Sequence, residues 1–257
     1  MNKPLVTCII PHHLDKNSKY LEWCVKSILA SIHVDLEVIV ISDADGGWIP
    51  FNDKRATCIW DKSLSNVTKK WHHGLTLASE SSQYVMLISD DVMVSKHTIA
   101  AMAGTTGDTQ VIMSPASNCD STTRYYTKYY LSHGVEGTAI GIGLKSTLED
   151  IKGYEQCVID YPASQPILID PGWVSFYCTM FPKTVLKRVG DFDEALDVRH
   201  NDVDYCHRAR ALGIPSLIHL GVFALHFGDR TLPSCTTAQD YANADEACRR
   251  KYQPQVE

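Results

Sequence analysis

No apolar stretch in these 257 residues approaches the length that a bilayer span requires. The opening MNKPLVTCIIPHHLDK has too short an apolar run for a signal-peptide core, so a soluble, cytoplasmic protein is expected. Basic residues are not in excess. The chain has 24 Lys and Arg against 30 Asp and Glu, a formal charge of -6, which gives no global pull toward nucleic acid or an anionic membrane. The nine cysteines form no CxxC pair, so neither a zinc ribbon nor a compact disulfide framework is indicated, and most are expected to be buried small hydrophobes. Both glycine loops that cradle phosphates, GxxxxGK[ST] and GxGxxG after a strand, are missing, since Gly141-Ile142-Gly143 lies in an irregular region. That weakens kinase, ATPase and dinucleotide-binding readings. No internal repeat or low-complexity segment stands out.

What is present is ordinary globular material, 44% hydrophobic and 21% charged, at a length near the upper limit for one core. Apolar β-rich runs alternate with helix-like stretches through the first hundred residues, the pattern of βαβ units around a mostly parallel sheet flanked by helices. Leu5 to Ile10 reads as the first strand, almost wholly apolar as expected when helices cover both sheet faces. Leu21 to Ala30 reads as a helix, Leu36 to Ile41 as the second strand and Tyr84 to Ile88 as a buried strand. Asn66 to Ser79 reads as a helix capped by Ser65 or Asn66, with Val67, Trp71, Leu75 and Ala78 as its buried stripe and Gly74 weakening it slightly. Between Gly104 and Ser164 the pattern is one of loops with short irregular elements, including the aromatic cluster Tyr125, Tyr126, Tyr129 and Tyr130. Beyond it come a helix at Lys183 to Val189, a helix from about Asp202 with Val203, Cys206, Ala209 and Leu212 on one face and Gly213 at its end, and a strand pair at Leu217 to Phe227. The tail after Thr231 is polar and reads as peripheral.

Ligands of open α/β sheets bind beyond the carboxyl ends of the strands. Pro11-His12-His13, Ser42-Asp43 and Ser89-Asp90-Asp91 all fall there. Adjacent acids after a buried run repel one another and call for a cation or a hydrogen-bond donor. Carboxylates suit Mg2+ or Mn2+, ions that join one or two protein carboxylates to substrate phosphates, so a diphosphate substrate is implied. Asp202 and Asp204 stand at a helix start, where the dipole stabilises carboxylates and a fixed orientation suits a general base. Capping is the plain alternative there, and a core position is the plain alternative for His226.

Set in order, these pieces resemble the inverting GT-A glycosyltransferases of the family 2 type, particularly rhamnosyltransferase-like members. VTCIIPHH resembles their first strand and base-binding turn, and LEVIVISDAD their second strand, with Ser42 for the first acid and Asp43 kept. LISDD matches the DxD region with serine first, whereas WHHGL departs from a characteristic Arg-Asn-x-Gly segment. DPGWVSFYCTMFPKTVLKRVGDFDEAL resembles the acceptor-side segment, HNDVDYCHRARALGI the Glu-Asp-x-Asp stretch with Asn201 for the glutamate, and ALHFG the closing histidine segment. The resemblance runs from residue 5 to about 230.

It implies one Rossmann-like GT-A domain over 1-257, with a donor half at 1-103, an acceptor and catalytic half at 104-230 and a tail at 231-257. It places Pro11, His12, Asp43 and Asp90 on the nucleotide, Asp91 and His226 on a Mn2+ or Mg2+ ion, Asp202 as the base, and Trp173 with Asp204 on the acceptor side. The reaction expected is transfer from a nucleotide-diphosphate sugar to a hydroxyl of a glycan, a lipid-linked sugar or a modified DNA base. A sugar nucleotidyltransferase and a degenerate nucleotide-sugar-binding module are the alternatives. The former wants a glycine-rich basic signature that Pro11-His12-His13-Leu14-Asp15 does not supply.

Overall fold

Successive side chains of the first strand point into two different cores, which explains its unbroken apolar sequence. In the computed structural model, which describes residues 3–13, 18–43, 51–117, 154–196, 199–227 and 237–252, β1 spans Leu5–His12. Val6, Cys8 and Ile10 enter one buried cluster and Ile9 the other. The strand β4 (Tyr84–Ile88) divides in the same way, Met86 one way and Leu87 the other. The helices α1 (Ser18–Leu29) and α3 (Thr98–Thr106) cover the first face. The second is covered by α2 (Val67–Leu77), α4 (Tyr154–Ile159), α5 (Lys183–Val189) and α6 (Asn201–Ala211).

The remaining strands are β2 (Asp35–Ser42), β3 (Ala56–Trp60), β5 (Val92–Val94), β6 (Ile112–Ser117), β7 (Leu168–Ile169), β8 (Cys178–Pro182) and β9 (Ser216–His226). The sheet order is β3-β2-β1-β4-β8-β6-β9-β5, with β7 pairing β9. β1 to β4 run parallel, β8 is antiparallel to both β4 and β6, and β9 is parallel to β6. The carboxyl ends of β1, β2, β4 and β9 therefore open on one edge.

The expected elements at Leu5, Leu36, Tyr84 and Lys183 are present, and Asn66 caps α2 by accepting the Lys69 N–H at 2.7 Å. Three expectations are corrected. The region 104–164 contains a fully buried strand, β6, whose Ser-Pro sequence reads as a loop; Pro115 is tolerated because the register shifts between it and Ala116. The strand pair expected at Leu217 to Phe227 is one strand, and its irregular stretch includes Gly221, where a Cβ would lie 2.6 Å from the Gln165 carbonyl oxygen. The buried face of α6 is carried by Tyr205, Cys206 and Ala209, whereas Leu212 is 41% exposed. The tail, expected to be polar and peripheral, includes a fifteen-residue helix, α7 (Ala238–Tyr252), with Ala244 as its one buried residue, joined to the body by ion pairs. The strand β3 had no sequence signal, being a half-buried edge strand without a long apolar run.

Asp45, the tyrosine cluster and Gly141 to Gly143 lie outside the described residues. Cys8, Cys24, Cys178 and Cys206 are buried free thiols, as expected of small hydrophobes. Among the described residues no helix is long and apolar enough to cross a membrane.

Candidate active site

The sheet edge gathers three of the expected segments. His12 and Ser42 are register partners at the ends of β1 and β2, and Ser89-Asp90-Asp91 follows the neighbouring β4. The two adjacent histidines reach different carboxylates: His12 Nδ1 lies 2.7 Å from Asp90 Oδ2, and His13 Nδ1 lies 2.6 Å from Asp43 Oδ2. Asp90 and Asp91 are 8% and 4% exposed, so their repulsion must be answered within the protein rather than by water. His226, at the end of β9, answers it for Asp91, with Nε2 3.1 Å from Asp91 Oδ1. The His226 ring also stacks on Tyr177, with centroids 5.2 Å apart. The backbone ties the same pair together, because the Phe227 N–H donates to the Asp91 carbonyl at 3.0 Å.

Sequence reasoning missed Lys70. It is 4% exposed, and its Nζ donates to the His12 carbonyl at 2.7 Å and to Asp43 Oδ2 at 3.0 Å. Burial pushes the Asp43 carboxyl up, but the His13 and Lys70 contacts outweigh it and hold the group below the usual aspartate range. The available signal was a lysine bordering the buried stripe beside Trp71, in the first turn of a helix that starts at the ligand edge.

Asp202 reaches the same edge through α6. The preceding Asn201 is 7% exposed and its Nδ2 donates to Thr68 Oγ1 at 3.5 Å, and Thr68 lies in the first turn of α2, two residues before Lys70. Asn201 Oδ1 accepts the Asp202 N–H, and Asp202 Oδ1 accepts the Val203 N–H, each at 2.8 Å. Burial raises the Asp202 carboxyl above its ordinary value, and the hydrogen bonds and nearby His200 only partly oppose this. A half-buried carboxylate with a raised pKa at a helix entrance is suited to accept a proton.

The two residues expected on the acceptor side have these surroundings. Trp173 is partly buried against the second core, in the turn after Asp170. Asp204 is fully buried, and its carboxylate is held by Arg208 at 2.9 Å, Lys251 at 2.7 Å and the Tyr252 hydroxyl. Its place in the fold is to anchor α7. Pro11 is half-buried opposite Ile41.

No family model and no curated protein matches the chain. Solved structures do match. The mannosyltransferase PcManGT from Pyrobaculum calidifontis in complex with GDP-Man and Mn2+ is 14% identical over 90% of this chain, with a TM-score of 0.56. TarS of S. aureus is 12% identical over 99% of this chain, also with a TM-score of 0.56. The fold is GT-A. The chain spans 59% and 40% of the lengths of these two structures.

Proposed function

We propose that this chain is an inverting glycosyltransferase of the family 2 type, rhamnosyltransferase-like in its motifs, which moves a hexosyl or pentosyl group from a nucleotide-diphosphate sugar to an acceptor hydroxyl. The observation that carries this reading is the convergence on one GT-A sheet edge of His12–Asp90, His13–Asp43–Lys70 and Asp91–His226 with the helix entrance that bears Asp202. Residues 1-103 then form the donor half, 104-230 the acceptor and catalytic half and 231-257 a tail, and the protein works in the cytoplasm.

Pro11, His12, Asp43 and Asp90 hold the nucleotide. Among the described residues no group of three or more His, Cys, Asp or Glu is placed to hold a metal by itself. Asp91 Oδ1 and His226 Nε2 nevertheless converge within 3.1 Å, a donor pair that suits Mn2+ when diphosphate oxygens complete the set, with Mg2+ as the alternative ion. When bound there, such an ion offsets the negative charge that grows on the departing nucleoside diphosphate. Asp202 takes the acceptor hydroxyl proton. The acceptor oxygen bonds to the anomeric carbon as the bond from that carbon to the phosphate oxygen breaks, the nucleoside diphosphate leaves with the electron pair, and the configuration inverts. Trp173 lines the acceptor side, where a glycan, a lipid-linked sugar or a modified nucleobase presents its hydroxyl.

The test is a thermal-shift and turnover screen of UDP, GDP, dTDP and CMP sugars with Mn2+, on the wild type and on Asp202→Asn. Stabilisation by at least one donor, with turnover lost in the variant but donor binding kept, is the expected result. No stabilisation by any donor would sink the donor reading. Stabilisation without turnover in the wild type would leave a nucleotide-sugar-binding module.

A further inference from the structure

Taking Asp202 as the base, as proposed above, we propose that Asp245 of α7 is a positioning residue: it holds His200 in a left-handed backbone conformation and so sets the turn on which Asp202 stands. Among the described residues only His33 and His200 are non-glycine residues with positive φ, and His200 has φ 70. The left-handed region is uncommon for residues with a Cβ, although histidine enters it more readily than most, and such conformations concentrate at functional sites. The hold is visible. His200 Nε2 lies 2.8 Å from Asp245 Oδ1, while Arg199 Nη1 spans both oxygens of the same carboxylate at 3.0 and 3.2 Å.

His200 is the N-cap residue of α6, yet its side chain makes no cap hydrogen bond and turns to α7 instead. Its carbonyl accepts the first helical bond, from the Asp204 N–H at 2.8 Å. The free amides of the helix start are taken by Asn201 and Asp202 themselves, and Asp202 is fixed by the bond from the Val203 N–H. The direction of the Asp202 carboxylate therefore follows the torsions at 200 to 202, where Asp245 of α7 holds the His200 side chain and Thr68 of α2 holds that of Asn201. A second attachment of α7, Lys251 to Asp204, grips the first turn of the same helix through the Asp204 carboxylate and leaves the His200 side chain untouched.

A double-mutant cycle with Asp245→Ala and His200→Gly separates positioning from simple docking of α7, because glycine adopts positive φ without being held. Asp245→Ala should lower kcat about fivefold with the donor KM unchanged, while Arg199→Ala stays near wild type. In the His200→Gly background the same Asp245→Ala change should cost less than about twofold. An unchanged kcat in Asp245→Ala, or an equal loss in both backgrounds, would overturn the proposal. Amide hydrogen exchange on these variants reads the same cycle without turnover. Faster exchange at Asn201 to Val203 in Asp245→Ala, suppressed by His200→Gly and with protection in β1 intact, is expected. Unchanged exchange would defeat the positioning role even if the protein transfers no sugar, and the expected exchange with no turnover in the wild type would defeat only the assignment of Asp202 as base.

Discussion

Lys70 Nζ sits 3.0 Å from Asp43 Oδ2, with the two side chains 4% and 8% exposed, so a buried ammonium and carboxylate face each other between α2 and β2. Removing one partner of such a pair leaves a charge without its counterion in a poorly solvated place. Lys70→Met should therefore cost about 3 kcal/mol in denaturant unfolding, the low end for a broken buried pair because His13 still faces Asp43. The pH dependence has a definite sign. The folded pKa of Asp43 is depressed, so its contribution is present above the ordinary aspartate value and is lost as pH falls through the folded value. The gap between wild type and variant should be full at neutral pH and close on acidification. Replacing both partners by Met and Leu should restore most of the stability but not nucleotide binding, and a double variant that still binds donor would remove the pair from the site.

Gly74 makes an opposite case, in which local preference and packing conflict. Alanine at a helix interior is favoured over glycine by about 1 kcal/mol. Here, however, a Cβ at position 74 would lie 2.5 Å from Ile9 Cγ2, and Ile9 is fully buried in β1. Overpacking wins: Gly74→Ala should lower stability by about 1–3 kcal/mol, and the same change should cost less in an Ile9→Ala background. A Gly74→Ala variant more stable than wild type would show that α2 can move away from β1, and with it Lys70.

The residues that were legible in advance are those whose chemistry is local. Asp90 and Asp91 end a buried apolar run, and Asn66 and Asp202 sit where helices begin, so one segment suffices to place each. Lys70 was hidden because its reason for being buried lies in β1 and β2, far away in sequence. β6 was hidden because Pro115 argues against a central strand unless the register shift beside it is known. The contacts of Asp204 were hidden for a related cause: an acid in the first turn of a helix looks available until α7 brings Lys251 and Tyr252 onto it. The order of the motifs carried the fold, while the pairing of side chains across the sheet edge required three dimensions.

The role of base proposed for Asp202 and the stability of the fold make opposite demands on its carboxyl. Its carboxyl is raised mainly by burial, so the ionised form is the one the fold disfavours. A raised folded pKa means that the group's contribution to stability is present below the unfolded value and lost as pH rises through the folded value. At neutral pH the ionised Asp202 therefore works against the fold, while the proposed role of base requires that form. Activity should rise with pH through the raised value, placing the acid limb of kcat above that of an ordinary aspartate. Asp202→Asn keeps the shape and an oxygen for the Val203 N–H but carries no charge. It should lower turnover about 10²- to 10⁴-fold, the usual worth of a general base. At pH 7 it should unfold no more easily than wild type, and any gain should fade at acid pH. A variant that is both inactive and clearly less stable at pH 7 would mean that the Asp202 charge is compensated in the fold, which would make Asp202 a structural cap rather than a base.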